Sequence, residues 1–442
     1  MNFSKTLLFW LLTATGVWFS ACTTTETAGQ STDLPSSDAD NGLIELPLGF
    51  GAAVIADDLG RVRHMAVRDN GDVYVKLRKA NETGNTILAL RDTDGDGRLD
   101  QRTGWADYSG TGLEVYNNHI YAASDTSIHR YALSEGELLP ASEKGEVIVS
   151  GFPKQGSHAS KTFAFDQQGK MYVNVGAPSN ACQEEARTQG SGGQNPCHQL
   201  ELQAGIWQFD ADRPGQTQVD DGLRYATGIR NAVAITWNEN VNSLFVLQHG
   251  RDQLSGLWPD LYTDEQSAEL PSEEFLQVSK GDDFGWPYCY FDHFQDKKLL
   301  APEYGGDGTT QGRCEGIKAP IEAFPAHMAP NDVMFYTGDQ FPEKYQNGAF
   351  IAFHGSWNRA PQPQEGYYVV FLPIANGVPS GEWEVFANGF SQLKEVASPG
   401  DAVYRPCGLA MGPDGSLYIS DSVKGRIWRV MYYGDDNLAQ AE

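Results

Sequence analysis

The hydrophobic positions of this chain form short runs that are separated by turn residues. An apolar run such as residues 63–67 is followed by a turn containing Gly or Asn, and then by a second run centred on an aromatic residue. Runs of this length are typical of short β-strands. Because units of this kind cannot bury both faces alone, the pattern predicts an all-β, six-bladed β-propeller. The aromatic anchors of the six repeats are Tyr74, Tyr121, Tyr172, Phe245, Phe350 and Tyr418.

Polar residues stand at the head of the first strand in each predicted blade. In a propeller this strand lines the central channel, so its leading residue lies near one mouth. Channel mouths are wet, which would explain a polar residue at any single position. Arginine, lysine and histidine recur there in several blades, however, and this recurrence predicts a functional site. The leading residues are Arg63, His64, Gly110, His158, Lys161, Arg230, Asn231, Asn331, Asp332 and Arg405.

The charge of the chain narrows the class of ligand. A formal net charge of -26 argues against nucleic acid or an anionic membrane surface as a partner. Arg230, Arg405 and Arg359 would converge on the axis, where unpaired guanidinium groups lose hydration and need an anion. Guanidinium groups suit carboxylates, and no phosphate-binding glycine loop is present, so we predict a polycarboxylate ligand. His158 is the candidate general base, because imidazole titrates near neutral pH.

The N-terminus resembles an export signal. Lys5 precedes an apolar stretch over residues 7–19 that is too short to span a bilayer, and residues 19–22 resemble a lipobox ending in Cys22. The alternative is an ordinary signal peptide in which Cys22 is incidental. We predict a lipoprotein signal over residues 1–22, a tether over 23–42, a propeller over 43–433 and an acidic tail over 434–442. The expected location is the bacterial cell envelope, lipid-anchored in a membrane and facing the periplasm or the cell surface.

Five cysteines follow Cys22, and in an oxidising compartment they should mostly pair. Cys182 with Cys197, and Cys289 with Cys314, each enclose a loop without strand pattern, so we predict these two disulfides. Cys407 is then left unpaired on an inner strand. No Cys-x-x-Cys-His stretch occurs, so this sequence has no c-type haem site.

An acidic loop has the spacing of a calcium site. Asp92, Asp94, Asp96 and Asp100 stand at positions 1, 3, 5 and 9, with glycine at position 6. Position 12 is Thr103, so the bidentate carboxylate is missing, and no flanking helices are expected. The loop is predicted either as a structural calcium site or as an acidic hairpin turn.

Four stretches together carry a resemblance to a known family. They are residues 225–231, residues 283–288, residues 353–359, and residues 405–406 with 412–415. In these stretches the chain resembles the pyrroloquinoline quinone (PQQ)-dependent glucose/sorbosone dehydrogenase family, especially its sorbosone dehydrogenase-like branch. The resemblance covers nearly all of residues 43–433. It implies PQQ and calcium as cofactors.

The resemblance also implies roles for individual residues. His158 would remove the substrate hydroxyl proton, while Arg230 and Asn231 would contact the quinone carbonyls. Ser157 and Cys407 depart from the family pattern, because an acidic residue and a second arginine are often found at these positions. Further cofactor contacts are implied for His249, Arg405, Lys161 and, in place of the missing arginine, Arg359, and the backbone carbonyls of Gly250 and Arg251 resemble the calcium ligands.

The implied function is oxidation of an aldose or related aldehyde, with electrons passed to an external acceptor. Two other functions stay open. A calcium-dependent lactonase would need carboxylate and Asn ligands on one metal, to which Asn231 and Asp332 could contribute. A noncatalytic binding propeller would need an exposed apolar patch and no role for His158.

Overall fold

Six antiparallel sheets, each with four principal strands, make up the structure, a computed structural model that describes residues 34–435. Blades 1 and 2 consist of Val62–Val67, Val73–Leu77, Ile87–Arg91 and Gln101–Trp105, and of Leu113–Tyr116, His119–Ala123, Ile128–Ala132 and Glu146–Ser150. Blades 3 and 4 consist of Phe163–Phe165, Lys170–Val175, Gly205–Asp210 and Leu223–Thr227, and of Ala234–Asn238, Ser243–Gln248, Glu273–Val278 and Glu322–Phe324. Blades 5 and 6 consist of Pro330–Phe335, Ala349–Phe353, Tyr368–Leu372 and Glu384–Ala387, and of Pro406–Met411, Leu417–Asp421, Ile427–Tyr432 and Phe50–Ala56.

Short elements complete the described chain. Gln216–Thr217 and Asp282–Asp283 add parallel edge strands to blades 2 and 3. Separate hairpins are formed by Cys289–Asp292 with Lys297–Leu300 and by Ile374–Ala375 with Val378–Pro379. The α-helices are Gln218–Asp221, Leu254–Leu257 and Asp264–Glu269, and the 3-10 helices are Asn41–Leu43, His198–Glu201, Pro302–Tyr304, Gly312–Cys314, Glu343–Tyr345 and Pro399–Asp401. Within residues 34–435 no helix is long and apolar enough to cross a membrane.

The ring is closed by pairing the two ends of the propeller. Phe50–Ala56, the earliest strand, lies antiparallel to Ile427–Tyr432 and becomes the outer strand of blade 6, with Ala52 opposite Val430. The predicted six-bladed propeller is therefore confirmed. The predicted first strands are the inner strands, and those of neighbouring blades contact one another around the axis.

The core lies between the blades, where the predicted aromatic anchors are buried. Tyr74, Tyr121, Phe245 and Phe350 are fully inaccessible to solvent. Buried tyrosine hydroxyls need partners, and those of Tyr74 and Tyr121 donate to backbone carbonyls at 2.9 and 3.1 Å. The sequence repeat therefore determines both the strands and, through its aromatic anchors, the packing between blades.

Both predicted disulfides are present, Cys182–Cys197 and Cys289–Cys314, and Cys407 is free and buried on the inner strand of blade 6. The predicted tether, in contrast, ends earlier than residue 42. Asp38 is fixed by a backbone bond to Ala52 and an ion pair with Arg98. The last residues of the predicted tether are thus bound to the propeller surface through Asp38. The predicted signal, the rest of the tether and most of the acidic tail fall on residues 1–33 and 436–442, outside the described range.

Candidate active site

Two cavities open near the axial ends of the inner strands, and residues 354–358 contribute to both walls. One, of about 170 Å³, is lined by His158, Arg230 and His249 and is called the His158 cavity below. The other, of about 360 Å³, is lined by Arg61, Arg63, Arg78, His354 and Arg405 and is called the arginine cavity. Four of the ten residues predicted at the channel mouth line these cavities: Arg63, His158, Arg230 and Arg405.

His158 is held in one tautomer. Its Nδ1 lies 2.6 Å from the carbonyl oxygen of Ala177, so Nδ1 carries the proton and Nε2 keeps a free lone pair. The backbone of His158 is left-handed, with φ of 50°, and its carbonyl accepts a bond from Gln155. Burial, and then the positive charge of Arg230, lower the pKa of His158 to about 3. The imidazole is therefore neutral at pH 7, as a proton acceptor must be.

Arg230 is the main departure from expectation. It was predicted to be an unpaired cation that polarises a ligand, but its guanidinium donates to Asp252 at 3.0 Å, to Asn180 and to the carbonyl of Gly250 at 2.9 Å. Asp252 is held by Arg187 as well, at 2.7 Å. Burial would raise the pKa of Asp252, yet Arg230 and Arg187 together hold it below its ordinary value. Arg230 as placed is thus a buried scaffold for the cavity wall.

Of the other two predicted residues near blade 4, His249 lines the His158 cavity and Asn231 does not. Asn231 approaches His158 closely, since a side chain added at Gly176 would touch both. His249 lies 2.7 Å from the carbonyl of Pro330 through Nε2, and burial lowers its pKa to about 4. Neutral, hydrogen-bonded groups therefore line this wall.

Glu273, which the sequence did not suggest, fixes two loops of the same cavity. Its carboxylate accepts the backbone N–H groups of Gly250 at 3.0 Å and of Ala329 at 3.2 Å. Burial raises the pKa of Glu273 to about 8. The loops that carry His249 and Pro330 are thus joined through one buried side chain.

Of the four arginines that line the arginine cavity, only Arg78 has an ion pair among the described residues. Arg405 donates to the carbonyls of His354 and Gly355, and Arg63 donates to Thr111 at 3.2 Å. Arg78 has an ion pair with Asp125 at 2.9 Å. Arg61, Arg63 and Arg405 have no carboxylate partner among residues 34–435. Such a cluster in a strongly acidic protein requires an anionic ligand.

Three predicted cofactor or metal residues lie elsewhere. Arg359 binds Glu269 at 2.6 Å and backbone carbonyls, and it lines neither cavity. Lys161 is fully buried, donates to the carbonyl of Ala159 and also lines neither cavity. Arg251, which was predicted as a metal ligand through its backbone carbonyl, has its guanidinium bound by Glu303 at 2.7 Å. The partners of Arg359 and Arg251 are distant in sequence, whereas Lys161 donates to a carbonyl two residues away.

The acidic loop connects two strands of blade 1, as expected for a loop without flanking helices. Asp92, Asp94 and Asp96 bring carboxylate oxygens within 4.8 Å of one another, whereas Asp100 turns aside and binds Thr93. Within the described residues no other three carboxylate, imidazole or thiol groups approach this closely.

Several cavity residues were missed although they lie within the motifs. Trp357 and Asn358 belong to the quoted stretch 353–359, and Asp252 directly follows the predicted carbonyl pair. A test of every polar or aromatic residue of a motif would have found them. Arg61 was missed as well, whereas Arg63 was predicted from its position at a blade head.

Fold and site together define a six-bladed propeller with an arginine-rich cavity and a second cavity that contains a neutral histidine. The chain belongs to the TrAA12-like family, which matches residues 44–433. The predicted kinship with PQQ-dependent sugar dehydrogenases is thereby confirmed. The chain is 28% identical over 415 residues to the pyrroloquinoline quinone-dependent pyranose dehydrogenase of Coprinopsis cinerea, covering 86% of this chain and 53% of that protein.

Solved structures agree on the fold. The holo pyranose dehydrogenase PQQ domain from Coprinopsis cinerea is similar with a TM-score of 0.70 and 20% identity, covering 88% of this chain and 97% of that one. The calcium structure of the Trichoderma reesei family AA12 protein gives a TM-score of 0.71 and 18% identity over 88% of this chain and 97% of that one. The chain spans about half the length of the curated relatives it matches first.

Proposed function

We propose that this protein is a PQQ-dependent dehydrogenase that oxidises an aldose or related sugar and passes the electrons to an external acceptor. The observation that carries the proposal is the uncompensated arginine cavity next to a histidine with a free lone pair. The names of its relatives support the sugar and the quinone. A narrower assignment to glucose or sorbosone has no support in the geometry.

The arginine cavity fits PQQ by its donor chemistry. PQQ is a planar quinone that bears several carboxylates, and guanidinium groups bind carboxylates with paired hydrogen bonds. Arg61, Arg63 and Arg405 would hold those carboxylates, since no side chain of the described range neutralises them. When bound, PQQ would supply the oxidant that the side chains lack.

The protein residues would then handle the proton and the orientation of the substrate. Nδ1 of His158 is fixed by Ala177, so Nε2 is the atom that accepts the proton of the substrate hydroxyl. Arg230 and Glu273 hold the surrounding loops and thereby fix the position of the histidine relative to the substrate.

Calcium does not fit the carbonyls of Gly250 and Arg251 as these residues are arranged. The Gly250 carbonyl already accepts a bond from Arg230, whose positive charge would repel the metal. The nearby carboxylates are engaged too, because Asp252 binds two arginines and Glu273 binds two amides. No step is assigned to calcium, and calcium at the Asp92 loop stays a prediction from its spacing.

The envelope location and the lipid anchor remain part of the proposal and rest on residues 1–22. We expect labelled fatty acid to be incorporated into the native chain and not into a Cys22→Ser variant. Equal labelling of both would contradict the anchor.

The proposed activity is tested by adding PQQ to the purified protein and following dye reduction with a panel of aldoses. We expect reduction that needs both PQQ and sugar and that is absent with the corresponding sugar acids. Parallel assays with added calcium and with a chelator test whether the metal contributes. Dye reduction without PQQ, or none with any sugar, would contradict the proposal.

A further inference from the structure

Trp357 stands at the edge of the His158 cavity with its side chain uncovered. It is the one tryptophan among residues 34–435 that is exposed, at 52%. Within that range its indole makes no hydrogen bond, aromatic pair or cation–π contact, although a large apolar ring is normally covered. Because Trp357 also lines the cavity of His158, its uncovered ring is in a position to contact a ligand bound there.

The backbone around this free indole is firmly held. Gly355 donates to the carbonyl of Met328 at 2.8 Å, and the Tyr367 hydroxyl donates to the carbonyl of Ser356 at 3.2 Å. Gly355 is required there, because its φ is +79° and a Cβ would lie 2.3 Å from the ring of Tyr367.

The other side of Trp357 is anchored at the cavity itself. The amide Nδ2 of Asn358 donates to Asp252 at 2.6 Å, and Asp252 is in turn paired with Arg230. A rigid loop thus presents a ring that has no partner, which is the arrangement of a preorganised binding surface.

We propose that Trp357 is the platform on which the apolar face of a pyranose ring stacks during oxidation. This rests on the proposed function and adds the part of the site that recognises the sugar. One face of a pyranose presents C–H groups, which suit the electron-rich face of an indole, while its hydroxyls suit the polar cavity behind. Stacking would hold the ring at the edge of the cavity that contains His158.

The platform is assigned to the sugar and not to the quinone because of where the arginines lie. Arg63 and Arg405 line the other cavity together with His354, whereas Trp357 lines the cavity of His158. A polycarboxylate bound by those arginines therefore has its anchors at the His354 end of the segment 354–358, and the indole lies at the other end.

The test compares Trp357→Ala and Trp357→Phe with the native protein, all loaded with PQQ. For an aldopyranose, Trp357→Ala should raise KM about 10- to 100-fold, the scale of losing a buried aromatic contact, and Trp357→Phe should recover part of it. For glyceraldehyde, which has no ring to stack, KM should change less than about 3-fold. Phe294→Ala is the matched control, because Phe294 is 67% exposed on a separate hairpin.

The dissociation constant of PQQ, measured by fluorescence titration, should be the same in all four proteins. Equal KM changes for both substrates, or weaker PQQ binding by Trp357→Ala, would contradict the stacking role of Trp357. Neither result would contradict the proposed dehydrogenase activity. If the native protein reduces no dye with any sugar, the proposed function fails separately. Saturation-transfer NMR then decides the platform: pyranose signals lost in Trp357→Ala support it, and their absence with native protein refutes it.

Discussion

The two cavities contain similar side chains but differ in how their charge is balanced. Arg230, in the His158 cavity, is neutralised by Asp252 and surrounded by acceptors. Arg63 and Arg405, in the arginine cavity, face no carboxylate among the described residues. A balanced cluster holds a structure together, whereas an unbalanced one needs a ligand. The same residue type therefore serves as scaffold in one cavity and as the proposed anion site in the other.

The sharpest way to test the assignment of the His158 cavity is to remove its base. His158→Gln should reduce turnover by about 100- to 10,000-fold, because the proton of the substrate hydroxyl loses its acceptor. Affinity for PQQ should be unchanged, since the arginine cavity is intact. Single-turnover kinetics with saturating PQQ measure the effect. Near-native turnover would show that another group, such as His249, is the base.

The claim that Arg230 belongs to the scaffold is tested through its partner. Asp252→Ala leaves the buried guanidinium of Arg230 without its carboxylate and removes one partner of the exposed Arg187, so the free energy of unfolding should fall by about 3 to 5 kcal/mol. Asp92→Ala, in an exposed loop, is the control and should change it by less than about 0.5 kcal/mol. Urea unfolding measures both. If Asp252→Ala lowered the free energy of unfolding as little as Asp92→Ala does, Arg230 would not be part of the scaffold.

The strands, the inner-strand residues and the disulfides can be predicted from the sequence, whereas the ion-pair partners of the arginines cannot, and the reason is physical. Strand alternation and the aromatic anchors are local, so the blades and the inner-strand residues are predictable from them. The disulfides follow because each closes one loop. Charge balance is not local: Arg359 meets Glu269 across 90 residues, and Arg251 meets Glu303 across 52. Guanidinium groups that will be neutralised thus look the same in sequence as those that bind a ligand.

The arginine cavity is tested by shortening one of its side chains. Arg405→Ala should weaken PQQ binding by ~1.5 to 3 kcal/mol, the scale of a hydrogen bond to a charged group. Arg359→Lys, a change at an arginine that lines neither cavity, should leave PQQ affinity unaltered. Equilibrium titration of PQQ compares the two variants. Equal weakening in both would mean that the cavities were assigned wrongly.

A smaller effect concerns two carboxylates in the channel, outside both cavities. Glu114 and Asp332 lie on the inner strands of blades 2 and 5, and burial together with Asp332 raises the pKa of Glu114 to about 8. The folded protein therefore keeps Glu114 protonated up to about pH 8, whereas Glu114 in the unfolded chain loses this proton above the ordinary pKa of glutamate. Stability should fall as the pH rises from about 5 to 8.

Glu114→Gln removes this titration. We compare the free energy of unfolding of this variant with that of the native protein. The difference, variant minus native, should increase by about 1 to 3 kcal/mol from pH 5 to pH 8, after allowance for partial exposure of the side chain. Glu146→Gln, at a half-exposed outer strand of the same blade, should run parallel to the native protein. Urea unfolding at several pH values measures the difference. Parallel curves for Glu114→Gln would show that this carboxyl is ionised in the fold.

The account depends most on where PQQ binds, and a crystal structure of the protein soaked with PQQ measures that directly. We predict cofactor carboxylates within hydrogen-bond distance of Arg63 and Arg405, with Arg230 still paired to Asp252. Electron density for PQQ that contacts Arg230 in place of Asp252, or that lies outside the arginine cavity, would contradict the division of the site into scaffold and anion-binding halves.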